Sequence, residues 1–182
     1  MRYAQIRELD ISNGEGIGVA LFVQGCRFAC KNCFNPDTWD FNGGKEWTPE
    51  TEDKLIELAN KPYIKRLSIL GGEPLADENL DDVLHLVDRF RLSFPNKTIW
   101  IYSGYQWQNI FMNEQDEPFE YEKEFMLIAK RQAILRQCDV MVDGRYIDSQ
   151  RDITLKWRGS SNQRVISVQK SLIQNKLVLY CD

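Results

Sequence analysis

Gly18-Val19-Ala20-Leu21-Phe22-Val23-Gln24-Gly25-Cys26-Arg27-Phe28-Ala29-Cys30-Lys31-Asn32-Cys33-Phe34-Asn35 is the stretch from which the rest of the chain is read. Its first part, Gly18 to Val23, is apolar throughout, as in a strand covered on both faces, and the strand is expected over Ile17–Gln24. Its second part places three cysteines within eight residues at the spacing C-x3-C-x2-C. A short loop can turn three such thiolates towards one centre, and iron–sulfur clusters are held by cysteine thiolates, normally four for a 4Fe–4S cube. The loop offers three, so a cube bound there leaves one iron open. Catalytic metal sites keep such a position for substrate, whereas structural sites are closed. The strand puts the loop at the carboxyl end of a buried β-element, where open α/β sheets and barrels carry their chemistry.

Two other readings of the cysteines compete with this one. A structural zinc site needs a fourth ligand, and the donors are His85, the only histidine, or the distant Cys138 and Cys181. No second short C-x-C or H-x-H unit accompanies the loop, as zinc spacings usually require. A disulfide framework fits poorly with five cysteines, an odd number, behind an N-terminus (Met1-Arg2-Tyr3-Ala4-Gln5) that has no signal-peptide core.

Composition narrows the class. With 182 residues, 43% of them apolar, the chain can bury a core as one domain spanning 1–182. Lys+Arg 23 against Asp+Glu 27 gives a net charge of -4, which argues against a protein built mainly for nucleic acid or an anionic membrane. No apolar run approaches the roughly 18 residues of a membrane span. Reduced cysteines without an export signal point to the cytoplasm.

Along the chain, Tyr3 to Ile11 precedes a turn at Asn13-Gly14, and Thr48-Pro49 reads as a helix N-cap with proline in the first turn. Leu55, Ile56, Leu58 and Ala59 mark that helix's buried face. A strand is expected over Ile64–Leu70, ending in Gly71-Gly72-Glu73-Pro74, then an amphipathic helix over Asp77–Arg91 with Leu80, Val83, Leu84, Val87 and Phe90 on its stripe. His85 falls on the polar flank. A strand over Lys97–Tyr102 leads into Ser103-Gly104-Tyr105. A helix over Tyr121–Arg136 leads to a strand over Asp139–Val142. Strands alternating with helices imply an α/β fold with a parallel, curved sheet. Asn109 to Glu124 is rich in carboxylates and reads as a solvated insertion. In the tail, 170–182, Leu177 to Tyr180 reads as an edge strand.

Gly71-Gly72-Glu73-Pro74 is the second chemical element. Two glycines allow close approach of backbone to a ligand, and a carboxylate with backbone carbonyls suits an ammonium group. By itself the tetrapeptide reads more readily as a plain turn at a strand end. A third element is Cys138 to Tyr146, containing Asp143-Gly144-Arg145, and a fourth is Lys156 to Arg164, containing Trp157-Arg158-Gly159-Ser160-Ser161. The long polar segment around them has the character of a functional or a disordered loop. Asp143 and Arg158 read either as an ion pair or as contacts to a protein substrate, and Cys138 as a buried apolar thiol.

The cysteine loop resembles that of the radical S-adenosylmethionine (SAM) superfamily. Together with Asn13-Gly14-Glu15-Gly16, Cys33-Phe34-Asn35 and the third and fourth elements, it is similar to the activating-protein family of anaerobic ribonucleotide reductase, over about residues 3–168. The resemblance implies an incomplete parallel β/α barrel of the radical SAM type. It also implies one 4Fe–4S cluster on Cys26, Cys30 and Cys33, and SAM held by Asn32, Cys33, Phe34, Gly71, Gly72, Glu73, Pro74 and Ser103. Asn32 departs from the aromatic residue many superfamily members carry before the third cysteine. The implied activity is reductive SAM cleavage that leaves a glycyl radical on the large subunit of the reductase, with electrons from a low-potential donor such as flavodoxin or ferredoxin. Two further readings stand beside it. One is a radical SAM enzyme with another substrate, such as a pyruvate formate-lyase activase or a 7-carboxy-7-deazaguanine synthase. The other is a metal-stabilised binding module without catalysis.

Overall fold

The computed structural model describes residues 1–111 and 122–181. Its strands are β1 (Arg2–Asp10), β2 (Gly18–Val23), β3 (Lys45–Glu46), β4 (Arg66–Gly71), β5 (Thr98–Ser103), β6 (Val140–Asp143), β7 (Arg164–Ser167) and β8 (Leu179–Cys181). Between them run α1 (Pro49–Ala59), α2 (Leu80–Ser93), α3 (Trp107–Phe111), α4 (Glu122–Gln137) and α5 (Val168–Gln174). The strands form one sheet in the order β3-β1-β2-β4-β5-β6-β7-β8. The centre, β2-β4-β5-β6, is parallel, as βα alternation demands, and both flanks are antiparallel.

Side chains alternate across a strand, so this sheet has two chemically different faces. One carries Val19, Leu21, Leu67, Ile69, Ile99, Ile101 and Met141, all fully buried in the large core with α1 and α2. The other carries Ala20, Phe22, Leu70, Trp100, Tyr102, Val140 and Val142. Phe22, Leu70 and Tyr102 on that second face also line the main cavity. The uninterrupted apolar run of β2 therefore has two causes: helices on one side, the cavity wall on the other.

Thr48 caps α1, its Oγ1 accepting the N–H of Thr51 at 3.3 Å, with Pro49 in the first turn. On that helix Leu55, Leu58 and Ala59 are buried, while Ile56 is half-buried. The helix expected from Asp77 begins at Leu80. Residues 74–79 are held in a turn because the Asn79 side-chain amide donates to the carbonyls of Gln24 and Glu73, both at 2.9 Å. Leu86 is fully buried on α2, and Leu84, placed on the stripe by sequence, is only partly buried. The expected insertion 109–124 is narrower at its described ends. Residues 109–111 close α3, where Trp107 and Ile110 are buried, and residues 122–124 open α4. Residues 112–121 lie outside the described part. The tail adds β8 against β7, with Cys181 opposite Val165 and packed on the cluster around Trp100.

Beneath the loop joining β1 to β2 lies a buried ion pair. Arg66, with no exposed surface, donates to the Asp10 carboxylate at 2.7 Å, to the Asp10 carbonyl at 3.0 Å and to Ser68 at 2.9 Å. Asp10 in turn accepts from the backbone and side chain of Asn13, and Ser68 donates to the Asn13 carbonyl. A Cβ on Gly14 or Gly18 would strike the Arg66 side chain, at 2.8 and 2.2 Å. The glycines of the Asn13-Gly14 turn and the strand start thus make room for a buried guanidinium. Breaking such a pair leaves an uncompensated charge, at a cost of about 3–5 kcal/mol. Asp10→Ala should lower unfolding free energy by about that amount in urea denaturation, whereas the shape-preserving double replacement Asp10→Asn with Arg66→Met should recover most of it.

Candidate metal and cofactor site

The cysteine loop leaves β2 at Gln24 and is fastened before it turns. Gly25 N–H donates to the Thr38 carbonyl at 2.9 Å, and Cys26 N–H to the Trp39 carbonyl at 3.0 Å. Ala29 and Asn32 take left-handed backbone conformations, φ 45° and 54°, which curl the loop. Cys26, Cys30 and Cys33 are half-buried, free of disulfides, and all line one cavity of about 520 Å³. Their sulfurs meet backbone amides. Phe28 and Ala29 face Cys26, Tyr146 faces Cys30, and Asn35 N–H donates to Cys33 Sγ at 3.4 Å. Burial pushes the Cys26 and Cys30 thiols up, and these amides pull the other way. Hydrogen bonds to sulfur are what a bound cluster uses to spread its charge. The donor set, the common cavity and the amides fit a cluster held by three thiolates. Among the described residues no three ligating side chains are grouped to hold a single metal ion.

The second element reaches the same cavity because β4 is the parallel neighbour of β2. Gly72 N–H donates to the Val23 carbonyl at 2.8 Å, and Glu73 N–H to the Gly25 carbonyl at 2.7 Å. These bonds decide why the two glycines are glycines. Gly71 has φ 101°, and a Cβ there would lie 2.8 Å from Phe22 Cα; one on Gly72 would lie 2.6 Å from the Gly25 carbonyl oxygen and 2.9 Å from that of Thr38. The close approach expected towards a ligand is made first to the protein's own cysteine loop.

Glu73 is buried, 2% exposed, and its carboxylate accepts three bonds: from Leu75 N–H at 2.9 Å, Ser103 Oγ at 2.8 Å and Gly104 N–H at 2.7 Å. Burial, the largest cause, pushes its carboxyl up to about 7 against the pull of those three donors. Gly104 in turn supports the cysteine loop, since a Cβ there would sit 2.3 Å from the ring of Phe28. Phe28 meets Tyr105 edge-on at 5.1 Å, and the Arg145 guanidinium lies 4.4 Å from its ring centroid. Arg131 from α4 completes the support by donating to the Leu75 carbonyl at 3.0 Å and to Tyr105 Oη at 3.2 Å.

Of the residues expected from sequence, Cys26, Cys30, Cys33, Phe34, Gly71, Gly72, Glu73 and Ser103 line the cavity. Asn32 and Pro74 do not. Asn32 is exposed and donates to Asp148 at 2.8 Å, tying the loop to the 145–163 segment. Phe34 meets Tyr146 edge-on at 5.0 Å and Gly159 by direct packing. The ion pair between Asp143 and Arg158 is not formed. Asp143 accepts from Arg164 Nε at 2.9 Å and from Trp107 N–H at 2.8 Å, while Arg158 lines the cavity with a buried, unpartnered Nε. His85 is exposed and faces Glu52 at 3.1 Å, and Cys138 is fully buried with its thiol pushed up by burial. Sequence reasoning missed Asn79, whose partners stand 55 and 6 residues away, and Arg131, whose partners Leu75 and Tyr105 stand 56 and 26 residues away. Tyr105, next to the visible Ser103-Gly104, was closer to hand.

Fold and loop together define an α/β iron–sulfur protein: the family model described as a 4Fe-4S single cluster domain matches residues 12–166. An activating protein of Vibrio cholerae is 40% identical over 165 residues, 90% of this chain and 96% of its own length. Those of Salmonella typhi and Escherichia coli are 39% and 38% identical over 167 residues, each covering 91% of this chain and 97% of theirs. All three are named anaerobic ribonucleoside-triphosphate reductase-activating protein. The chain belongs to that family.

Two outcomes follow from the packing. Gly72→Val should disrupt the Gly25 and Thr38 contacts, so iron retained after anaerobic reconstitution and SAM affinity should fall together; loss of SAM binding with full iron content would contradict this. Glu73 has a folded pKa above its ordinary 4.5, so the folded state binds the extra proton between about pH 4.5 and 7. Its contribution to stability is whole below that window and is lost as pH rises through it. The cluster-free protein should lose stability relative to Glu73→Gln between pH 4.5 and 7, by on the order of 3 kcal/mol, in urea titrations at each pH.

Proposed function

We propose that this protein activates an anaerobic ribonucleotide reductase by installing a glycyl radical on its large subunit. The observation that carries the reading is the single cavity in which three free cysteines of one loop face the Gly71-Gly72-Glu73 turn of the neighbouring parallel strand. Cys26, Cys30 and Cys33 would hold one 4Fe–4S cluster, and Phe34, Gly71, Gly72, Glu73 and Ser103 would hold SAM, with Asn32 and Pro74 acting on the shape of their loops. When bound, cluster and SAM would supply the one-electron reduction and the radical chemistry that the hydrogen abstraction at the partner's glycine needs. The cofactor carries that hard step; the chain binds, orients and excludes competing reactions.

Glu73 presents a buried acceptor, already oriented by three donors, where an ammonium group is to be held. The apolar floor of Phe22, Leu70 and Tyr102 keeps water from the reacting carbon. The strand curvature this needs is that of a partial barrel of the radical SAM type, built as one domain over 1–182. Electrons would come from a low-potential donor such as flavodoxin or ferredoxin, in the cytoplasm. Among the described residues no helix is long and apolar enough to cross a membrane.

Anaerobically reconstituted protein should hold about four irons per chain, lost in Cys26→Ala, Cys30→Ala and Cys33→Ala and kept in Cys138→Ala and Cys181→Ala. Reduced and given SAM, it should produce a carbon-centred doublet on the reductase in electron paramagnetic resonance, and none on a reductase lacking its C-terminal glycine segment. A signal on pyruvate formate-lyase alone would overturn the substrate and leave the cluster chemistry standing.

A further inference from the structure

One side of the cavity is held in a conformation that its own residue does not favour. Trp157 lines the cavity with φ 58°, in the left-handed region that bulky side chains rarely enter. Such a conformation persists only where its surroundings over-determine it. Trp157 stands in the segment 150–161, which is closed at its base: Asp152 N–H donates to the Gly159 carbonyl at 3.2 Å, and Ser161 N–H to the Gln150 carbonyl at 2.9 Å. Leu155, Arg158 and Gly159 of the same segment also line the cavity, so the placement of Trp157 bears on that whole wall.

What holds Trp157 comes from distant parts of the chain. Trp100, on β5 two residues before the cavity-lining Tyr102 and on the same face of the sheet, meets it edge-on at 4.9 Å. Tyr180, on β8, meets both indoles edge-on, Trp100 at 5.3 Å and Trp157 at 5.9 Å. Aromatic rings attract in this geometry. Trp100 is 1% exposed and fixed in the sheet, whereas Tyr180 is 40% exposed and needs a second hold. Its hydroxyl donates to the Glu15 carboxylate. That bond, the largest cause, pushes the phenol up to about 12, so it stays a donor at neutral pH. Glu15 belongs to the turn Asn13-Gly14-Glu15-Gly16, in which a Cβ on Gly14 would lie 2.8 Å from the Trp100 indole. One tyrosine thus joins that turn, the sheet and the segment bearing Trp157.

We propose that Tyr180 is a positioning residue: anchored to Glu15, it holds Trp157 as a fixed wall of the cavity and so sets the shape in which SAM is bound. The inference rests on the proposed function, which puts SAM in that cavity. A wall residue in a disfavoured conformation relaxes when its support is removed. A ligand then binds only the fraction of molecules that keep the wall in place, and its affinity falls by that fraction. The strand that supplies Tyr180 lies beyond the residues 12–166 matched by the family model, so the clamp is an addition to the family's common core.

The test has two readouts on reconstituted protein labelled with 5-fluorotryptophan. Before SAM is added, fluorine NMR reports each of the five tryptophans, and Trp157→Phe assigns the Trp157 resonance by removing it. In Tyr180→Ala that resonance should shift and gain a solvent isotope effect, while those of Trp39, Trp47 and Trp107 stay in place. SAM binding, measured by equilibrium dialysis, should weaken about tenfold if the wall is in place about a tenth of the time. Tyr180→Phe keeps the ring and should restore most of both. Tyr180→Leu, which has bulk but neither ring nor hydroxyl, gives the same reading should the alanine variant fail to fold. Leu179→Ala is the control on the same strand, where Leu179 stands opposite Ile166. It should change SAM affinity by no more than about twofold, the usual small effect of surface changes. Thermal melts verify that each variant is folded at the measuring temperature. An unmoved Trp157 resonance, an unchanged SAM affinity or an equal effect in Leu179→Ala overturns the inference, with SAM binding and the doublet of the wild type left standing. Wild-type protein that binds no SAM overturns the proposed function and this inference with it.

Discussion

The contact on which the site depends is backbone against backbone. β2 and β4 run parallel side by side, and their carboxyl ends meet where Gly72 and Glu73 donate to the carbonyls of Val23 and Gly25. Two orphan carbonyls at a strand end are thereby satisfied by two amides of the neighbouring turn, and no side chain could be accommodated at position 72 between them. The cysteine loop and the glycine-rich turn are consequently one rigid unit.

Around that unit Glu73, Asn79 and Arg131 form a connected set of hydrogen bonds. Glu73 is held by Leu75, Ser103 and Gly104; Asn79 bridges Gln24 and Glu73; Arg131 bridges the same turn to Tyr105. Buried polar networks rigidify when every member is paired, because each missing partner carries a desolvation cost. The support reaches from α4 through Tyr105 and Phe28 into the loop that bears Cys26 and Cys30. An arginine on a helix face and an asparagine before a helix are thus part of how the cysteines are presented.

Much of this was legible along the chain. The apolar run before the cysteines, the Thr48-Pro49 cap and the strand ends at Gly71 and Ser103 all depend on local chemistry: alternation, capping and chain reversal. The helix start at Leu80, misplaced by three residues from sequence, depends on Asn79 reaching Gln24, which no local rule contains. The same holds for Asp143, whose cation is Arg164 across the β6–β7 pair and not Arg158. Both residues lay in recognised motifs, yet antiparallel register decided which arginine stood opposite.

By itself, the sequence determined the alternation of strands and helices, the three-thiolate loop and the glycine-rich turn, because spacing and residue type act over a few neighbours. Only the tertiary structure decided which face of the sheet became cavity and which became core, and why Gly72 must lack a side chain. It also decided that Arg66 is buried beneath Asn13 and paired with Asp10, while Arg158 lines the cavity with a buried Nε that has no hydrogen-bond partner among the described residues. These outcomes follow from strand order and register, which bring together residues many positions apart, and they carry no periodic mark in the chain.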